Sequence, residues 1–488
     1  MTDGPAGLRY GEPAGRWTLL ATVLGSGMAL LDGTVVNLAL PRIAEDLDAT
    51  FSGLQWILNG YTLTLAGLIL LGGALGDRYG RRRLFVLGAA GFTVASLACA
   101  VAPTVELLIA ARVLQGAGAA MLTPGSLAIL QASFDQHDRG RAIGAWSGLG
   151  GVATAIGPFV GGWLVDAASW RWIFLINLPI GIAVIAIARR HVPESRDPDA
   201  TGSIDWLGAT LAALGLAGVT FGLSEERWLA VVVGFAVLAA FVLTEQRRTN
   251  PLVPLVVFRS RTFSGTNVVT FLLYGALAVV FFLLGLVLQG PLGYTPLQAG
   301  AATMPVTLAM LGLSARSGAL AERIGPRIPM TVGPLLVATA MLLLTGITPE
   351  SSYVTGILPG IVVFGLGLAL TVAPLTATAL GSVDDHHAGI ASGINNAVAR
   401  TGQLLAVSAI PLVAGFAPQG TVTASELLDG FDRVMRVAAV TVVGAAAIAW
   451  LTVRRPLEAA DPVATTAWHC AAGGPPPVVE AIRADDAA

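Results

Sequence analysis

Apolar stretches long enough to cross a bilayer follow one another along almost the whole chain, broken only by short polar turns. A spanning helix needs about 20 mostly apolar residues. Fourteen runs meet or approach that length, at 17–40, 51–75, 84–104, 107–130, 142–165, 172–188, 206–223, 228–243, 263–290, 297–315, 328–349, 353–376, 388–415 and 437–453. The pattern predicts an all-α membrane protein with fourteen transmembrane helices. The run from Trp17 is too long for a signal-peptide core and carries Asp32, so it is read as an uncleaved first helix.

Composition agrees with the pattern. The 488 residues are 55% hydrophobic and 12% charged, too apolar for a soluble chain of this size. All 28 basic residues are arginine. The lack of lysine excludes a Walker A ATP motor, a Schiff-base lysine and a Ser-Lys dyad. The same bias, with abundant Ala and Gly, is associated with GC-rich bacterial genomes. Arginines cluster on one side of the membrane map, at Arg78, Arg81, Arg82, Arg83, Arg189, Arg190, Arg247 and Arg248, while Arg42, Arg171, Arg227, Arg433 and Arg436 fall on the other. The positive-inside bias then places both termini in the cytoplasm of a multi-pass protein of the bacterial cell membrane. A net charge of −2 with no basic stripe predicts no nucleic-acid partner. Cys99 and Cys470 form no disulfide framework, and the scattered histidines, His386 and His387 included, form no metal site. No cofactor is expected.

An internal repeat sets the organisation. Gly73-Ala-Leu-Gly-Asp77-Arg78-Tyr-Gly80-Arg81-Arg82 returns as Gly318-Ala-Leu-Ala-Glu322-Arg323-Ile-Gly325-Pro326-Arg327, an offset of 245 residues. Almost the same offset separates the first run from the ninth. Two equivalent six-helix halves follow. The expected parts are a cytoplasmic tail over 1–16, an N-terminal six-helix bundle over 17–190, a linker with two inserted membrane helices over 191–262, a C-terminal six-helix bundle over 263–453 and a disordered cytoplasmic tail over 454–488. Paired bundles place a binding site between them near the midplane, and rocking alternates its access.

Asp32 is the only charged residue between Trp17 and Leu40. A carboxylate in hydrocarbon is costly and marks a proton site or an ion partner. Arg112, the single charge of the fourth run's interior, lies at a matching depth, about 10 Å from the outer end at 1.5 Å per residue. A nearby cation favours the charged carboxylate and apolar surroundings favour the neutral acid, so movement of Arg112 would load and unload a proton. A static ion pair is the competing reading. Further polar groups in the apolar runs are candidates for a substrate cavity: Thr34, Asn37, Gln55, Asn59, Tyr61, Gln115, Trp146, Asn267, Tyr274, Asn395, Asn396 and Arg400. Gln289 ends the ninth run, and Arg400 has no partner legible in the sequence.

Four blocks give the chain a resemblance to the major facilitator superfamily, in its fourteen-helix drug:proton antiporter branch, over residues 17–453. Gly73 to Arg83 resembles the family's loop signature. Gly80 allows a tight reversal, Asp77 is suited to accept bonds from a helix N-terminus, and the arginines anchor the loop. The resemblance makes Gly73, Asp77, Arg78, Gly80 and Arg81 gating residues. Arg112-Val-Leu-Gln115-Gly116 resembles the family's buried-arginine block. Gly144, Gly157, Pro158, Gly161 and Gly162 resemble the antiporter signature, with Ala153 replacing one glycine. Asp32 to Pro41 and Trp170 to Pro179 resemble blocks of the fourteen-helix branch, although Trp170 and Trp172 equally suit interface anchors. What this implies is a major-facilitator fold and a monomeric secondary transporter that exchanges a small amphiphilic substrate for protons across the lipid bilayer. A dedicated exporter of one natural product or lipid is the alternative. No catalytic motif of a membrane enzyme is present in the sequence.

Overall fold

The computed structural model describes residues 7–198, 200, 204–384, 388–417, 420 and 422–453, with Thr154, Ala155 and Ala388 described in backbone alone. One compact unit, Met1–Arg454, holds every described helix. The stretch Arg455–Ala488 lies outside the described residues, as do Cys470, His386 and His387.

The membrane helices of the N-terminal half are α1 (Pro13–Leu47), α2 (Phe51–Tyr79), α3 (Arg81–Ala100), α4 (Val105–Ser133), α5 (Gln136–Ala167) and α6 (Trp172–His191). A hairpin follows, α7 (Trp206–Ser224) and α8 (Trp228–Glu245). The second half contains α9 (Arg261–Gln289), α10 (Pro296–Ile324), α11 (Arg327–Leu343), α12 (Tyr353–Gly381), α13 (Ala388–Ser408) and α14 (Ala424–Thr452). Among the described residues, twelve of these are long and apolar enough to cross a membrane. The other two of the expected fourteen fall short for different reasons. α11 has 17 residues, and α13 is interrupted by Asn395, Asn396, Arg400 and Gln403.

Helix starts are fixed by side-chain caps. Thr50, Thr104, Asp135, Asp205 and Ser260 accept from the first turns of α2, α4, α5, α7 and α9. Thr295 with Gln298 and Thr423 with Glu426 form capping boxes at α10 and α14. The cap at Thr423 places the start of α14 well before the apolar run read from 437. Ser425, Glu426, Asp429 and Asp432 are helical but polar, and hydropathy marks only the hydrocarbon-crossing part of a helix.

The packing scheme repeats between halves. α4 packs on α2 and α3, α1 packs on α5 and α6, and α3 packs on α6. In the same way α12 packs on α10 and α11, α9 packs on α13 and α14, and α11 packs on α14. The repeated loop glycines match too, with φ of +118° at Gly80 and +86° at Gly325, the region that favours glycine. The hairpin sits on α2 and α13, and so covers one seam between the halves. At its turn Glu225 Oε1 accepts from Ser52 Oγ (2.5 Å) and Trp56 Nε1 (3.1 Å).

In the loop after α2 the acid of the motif and the start of α3 have separate partners. Asp77 does not cap α3. Its carboxylate pairs with Arg81 at 2.8 Å. The α3 N-terminus is met instead by Glu194, whose Oε1 accepts from Arg82 N at 3.1 Å and whose Oε2 lies 3.5 Å from Arg82 Nε and 3.7 Å from Arg83 Nε. The chain beyond α6 folds back onto this loop, with Arg81 N bonded to Ser195 O and Asp197 N to Asp77 O. Glu194→Ala is expected to lower thermal stability by about 1 kcal/mol, the scale of a lost cap. It is also expected to expose the segment 192–198 to protease. Limited proteolysis of purified protein checks both this and the smaller effect expected of Asp77→Ala.

Candidate functional site

Asp32 lies midway along α1, where the neighbouring face of α4 presents Arg112. Both side chains are withdrawn from solvent, at 0% and 1% exposure. Arg112 Nη1 lies 2.5 Å from Asp32 Oδ2 and 2.6 Å from Gln115 Oε1, and Arg112 Nε donates to Ile57 O at 3.0 Å. Gln115 Nε2 donates to Asp32 Oδ1 (2.8 Å) and to Ser96 Oγ (2.9 Å). The guanidinium carbon stands 4.3 Å from the centroid of the Tyr61 ring and 5.8 Å from that of Phe174, a cation–π arrangement that shields it from lipid. Both carboxylate oxygens are thus hydrogen-bonded, as a buried charge requires.

Gln115, expected in the cavity, belongs to this network and is fully buried. Ser96 and Asn177, whose Nδ2 is 3.4 Å from Ser96 Oγ, extend it into α3 and α6. Ser96 stands alone in an apolar run and gives no sequence signal. Asn177 was visible within the block from Trp170 to Pro179.

The other expected site residues divide by location. Thr34 bonds within α1 to Leu31 O, Asn37 to Gly33 O, Asn396 within α13 to Ser392 O, and Trp146 Nε1 reaches Ser26 Oγ in α1 at 3.1 Å. Asn395 Nδ2 donates to Asn267 Oδ1 (3.2 Å) and Thr270 Oγ1 (2.9 Å), joining α13 to α9. Arg400 donates to Gln403 on its own helix at 3.1 Å. Gln55 and Asn59 are turned toward α13: Gln55 Nε2 bonds Val407 O at 2.7 Å and Asn59 Nδ2 bonds Ser408 Oγ at 3.0 Å. Arg78 lies near the Tyr79 ring, and Gly73 touches little beyond Pro124.

The glycines of α5 act through close approach. A Cβ on Gly157 would come within 2.4 Å of Thr34 Oγ1, on Gly161 within 2.4 Å of Val35 Cγ1, and on Gly162 within 2.5 Å of Pro296 O in the other half. Reciprocally, a Cβ on Gly300 would come within 2.3 Å of Pro158 O. α5 and α10 therefore meet backbone to backbone at the end remote from the chain termini. Toward the arginine-rich end, Gly140, Gly144 and Gly148 of α5 and Gly312 and Gly318 of α10 have nothing within 4 Å of a Cβ position. Gly162→Leu is expected to force α5 off α10, at about 1–3 kcal/mol for an overpacked contact. Substrate flux should be lost from protein that still reaches the membrane, as a vesicle assay with immunodetection would show.

Residues 22–407 match the Major Facilitator Superfamily. The chain belongs to that superfamily. It is 34% identical over 475 residues to the puromycin resistance protein of Streptomyces alboniger, covering 92% of this chain and 93% of that protein. It is 33% identical over 447 residues to the tetracenomycin C resistance and export protein of Streptomyces glaucescens, covering 88% and 80%. The fold is similar to that of a D-xylose–proton symporter, with a TM-score of 0.66 at 16% identity over 90% of this chain and 98% of the symporter. This major facilitator chain is a multi-pass membrane transporter and not an enzyme.

Proposed function

We propose that this protein exports small amphiphilic organic compounds, antibiotics among them, in exchange for protons, with Asp32 as the proton site and Arg112 as its counter-ion. Support comes first from the buried network around Asp32. It is a titratable group in the core of one bundle, held by Arg112 and Gln115 with the Tyr61 ring packed on the guanidinium. Support also comes from relatives named for antibiotic resistance and for export.

The mechanism follows from this wiring. Arg112 rests against Asp32 with both side chains buried. When the bundles rock, a substrate that displaces Tyr61 from the guanidinium moves Arg112, and the carboxylate left in apolar surroundings takes a proton. Cavity contacts come from Thr34, Asn37, Trp146, Tyr274 and Asn396. Fourteen membrane crossings, a cytoplasmic arginine-rich end with both termini, and residence as a monomer in a bacterial cell membrane complete this reading. One chain carries both bundles, so the cavity is complete without a second copy.

A dedicated exporter of one natural product is the second reading, favoured by relatives that are each named for a single antibiotic. Inverted vesicles with an imposed proton gradient and a pH-sensitive dye test the proposal. Substrates should discharge the gradient, and a panel that yields one active compound selects the dedicated exporter. Vesicles in which no amphiphile in the panel moves protons reject exchange.

A further inference from the structure

Three hydrogen bonds between side chains and the opposite half are found among the described residues, and all are donated by neutral amides at the end remote from the termini. They are Gln55 to Val407 O, Asn59 to Ser408 Oγ, and Gln289 Nε2 to Leu38 O at 3.0 Å. No ion pair joins the halves among those residues.

The Val407 bond has a specific origin in the sequence. Within a continuous helix the carbonyl of Val407 would accept from the N–H of residue 411, but residue 411 is proline and has none. α13 accordingly ends at Ser408, and a short turn of helix resumes at Ile410–Ala414. A carbonyl without a partner in a dry, apolar setting is costly. Gln55 is fully buried and supplies the missing donor from α2, 352 residues away in the chain.

We infer that Gln55, acting on the carbonyl that Pro411 frees, is the latch that holds the two bundles together at the end remote from the termini, with Asn59 as its second contact. This rests on the alternating-access reading above and adds the residues that set its resting bias. The latch is reversible for a physical reason. Parting the bundles admits water to that end, and water then satisfies Val407 O in place of Gln55. Gln55 and Asn59 act here as positioning residues, through their bonds to Val407 O and Ser408 Oγ.

Spin labels on Glu45→Cys in α1 and Ser425→Cys in α14, both exposed at that end, report the separation of the bundles by pulsed dipolar spectroscopy, in a Cys470→Ser background with buried Cys99 retained. Gln55→Leu should raise the ratio of long to short distances about three- to tenfold, the range for interhelical bonds in membranes. Asn59→Ala, which removes less volume, should shift it in the same direction. Adding Pro411→Ala to Gln55→Leu restores an in-helix donor for Val407 O, so the distribution should return toward wild type. Lost packing alone would not produce that reversal.

Unchanged distances in Gln55→Leu and Asn59→Ala, or a shift that Pro411→Ala fails to reverse, overturn the latch. The labels report without drug or proton flux. A reversible shift in protein that moves no amphiphile would therefore reject the export reading and leave the latch standing.

Discussion

Asp32→Asn should reduce substrate-driven proton movement in inverted vesicles to the level of vesicles lacking the protein, while the variant still accumulates in the membrane. The substitution preserves volume, and an amide oxygen at the Oδ1 position still accepts from Gln115 Nε2, so α1 remains tied to the network. What is lost is the only acid within the buried pair, and with it the group that binds and releases a proton. Arg112 keeps its bonds to Ile57 O and Gln115 Oε1 but loses its ionised partner, so the variant is also expected to unfold at a lower temperature than wild type. Substrate binding measured at equilibrium should change far less than coupled flux. Wild-type proton exchange by Asp32→Asn would remove Asp32 from the mechanism.

Arg112→Leu has the opposite character, with stability affected first. It leaves a carboxylate with 0% exposure facing an apolar side chain. Breaking one partner out of a buried pair costs about 3–5 kcal/mol, because the remaining charge is uncompensated. The expected result is a large fall in the unfolding temperature of detergent-purified protein. Arg112→Lys should rescue only part of it, since a single ammonium lacks the planar fork that serves Asp32, Gln115 and the Ile57 carbonyl together. Asp32→Asn combined with Arg112→Leu should be more stable than Arg112→Leu alone, yet equally uncoupled. If Arg112→Leu unfolds at the wild-type temperature, the pair does not hold α1 against α4.

These expectations separate two kinds of polar residue that look alike in an apolar run. Asp32 and Arg112 meet one another, and their equal depth was readable because each is the lone charge in its run. Gln55, Asn59 and Gln115 were equally visible as polar interruptions, but their neighbours were not. A polar side chain within a membrane helix can face a cavity, a neighbouring helix or the partner bundle, and helical periodicity does not distinguish among these. Gln115 completes the charge network, whereas Gln55 and Asn59 join the bundles.

The sequence by itself determined the all-helical membrane architecture, the repeat that relates the halves, the turn at Gly80, and the equal depth that makes contact between one acid and one arginine possible. Hydrocarbon imposes these directly, since a helix must be about 20 apolar residues long and a buried charge must find a polar partner. Only the tertiary structure decided that Glu194 rather than Asp77 meets the start of α3, that the α7–α8 hairpin covers the α2–α13 seam, and that Gln55 serves the carbonyl freed by Pro411. Each of those contacts joins residues far apart in the chain. The sequence states that a donor or acceptor is missing, and the packing of whole helices determines which distant side chain supplies it.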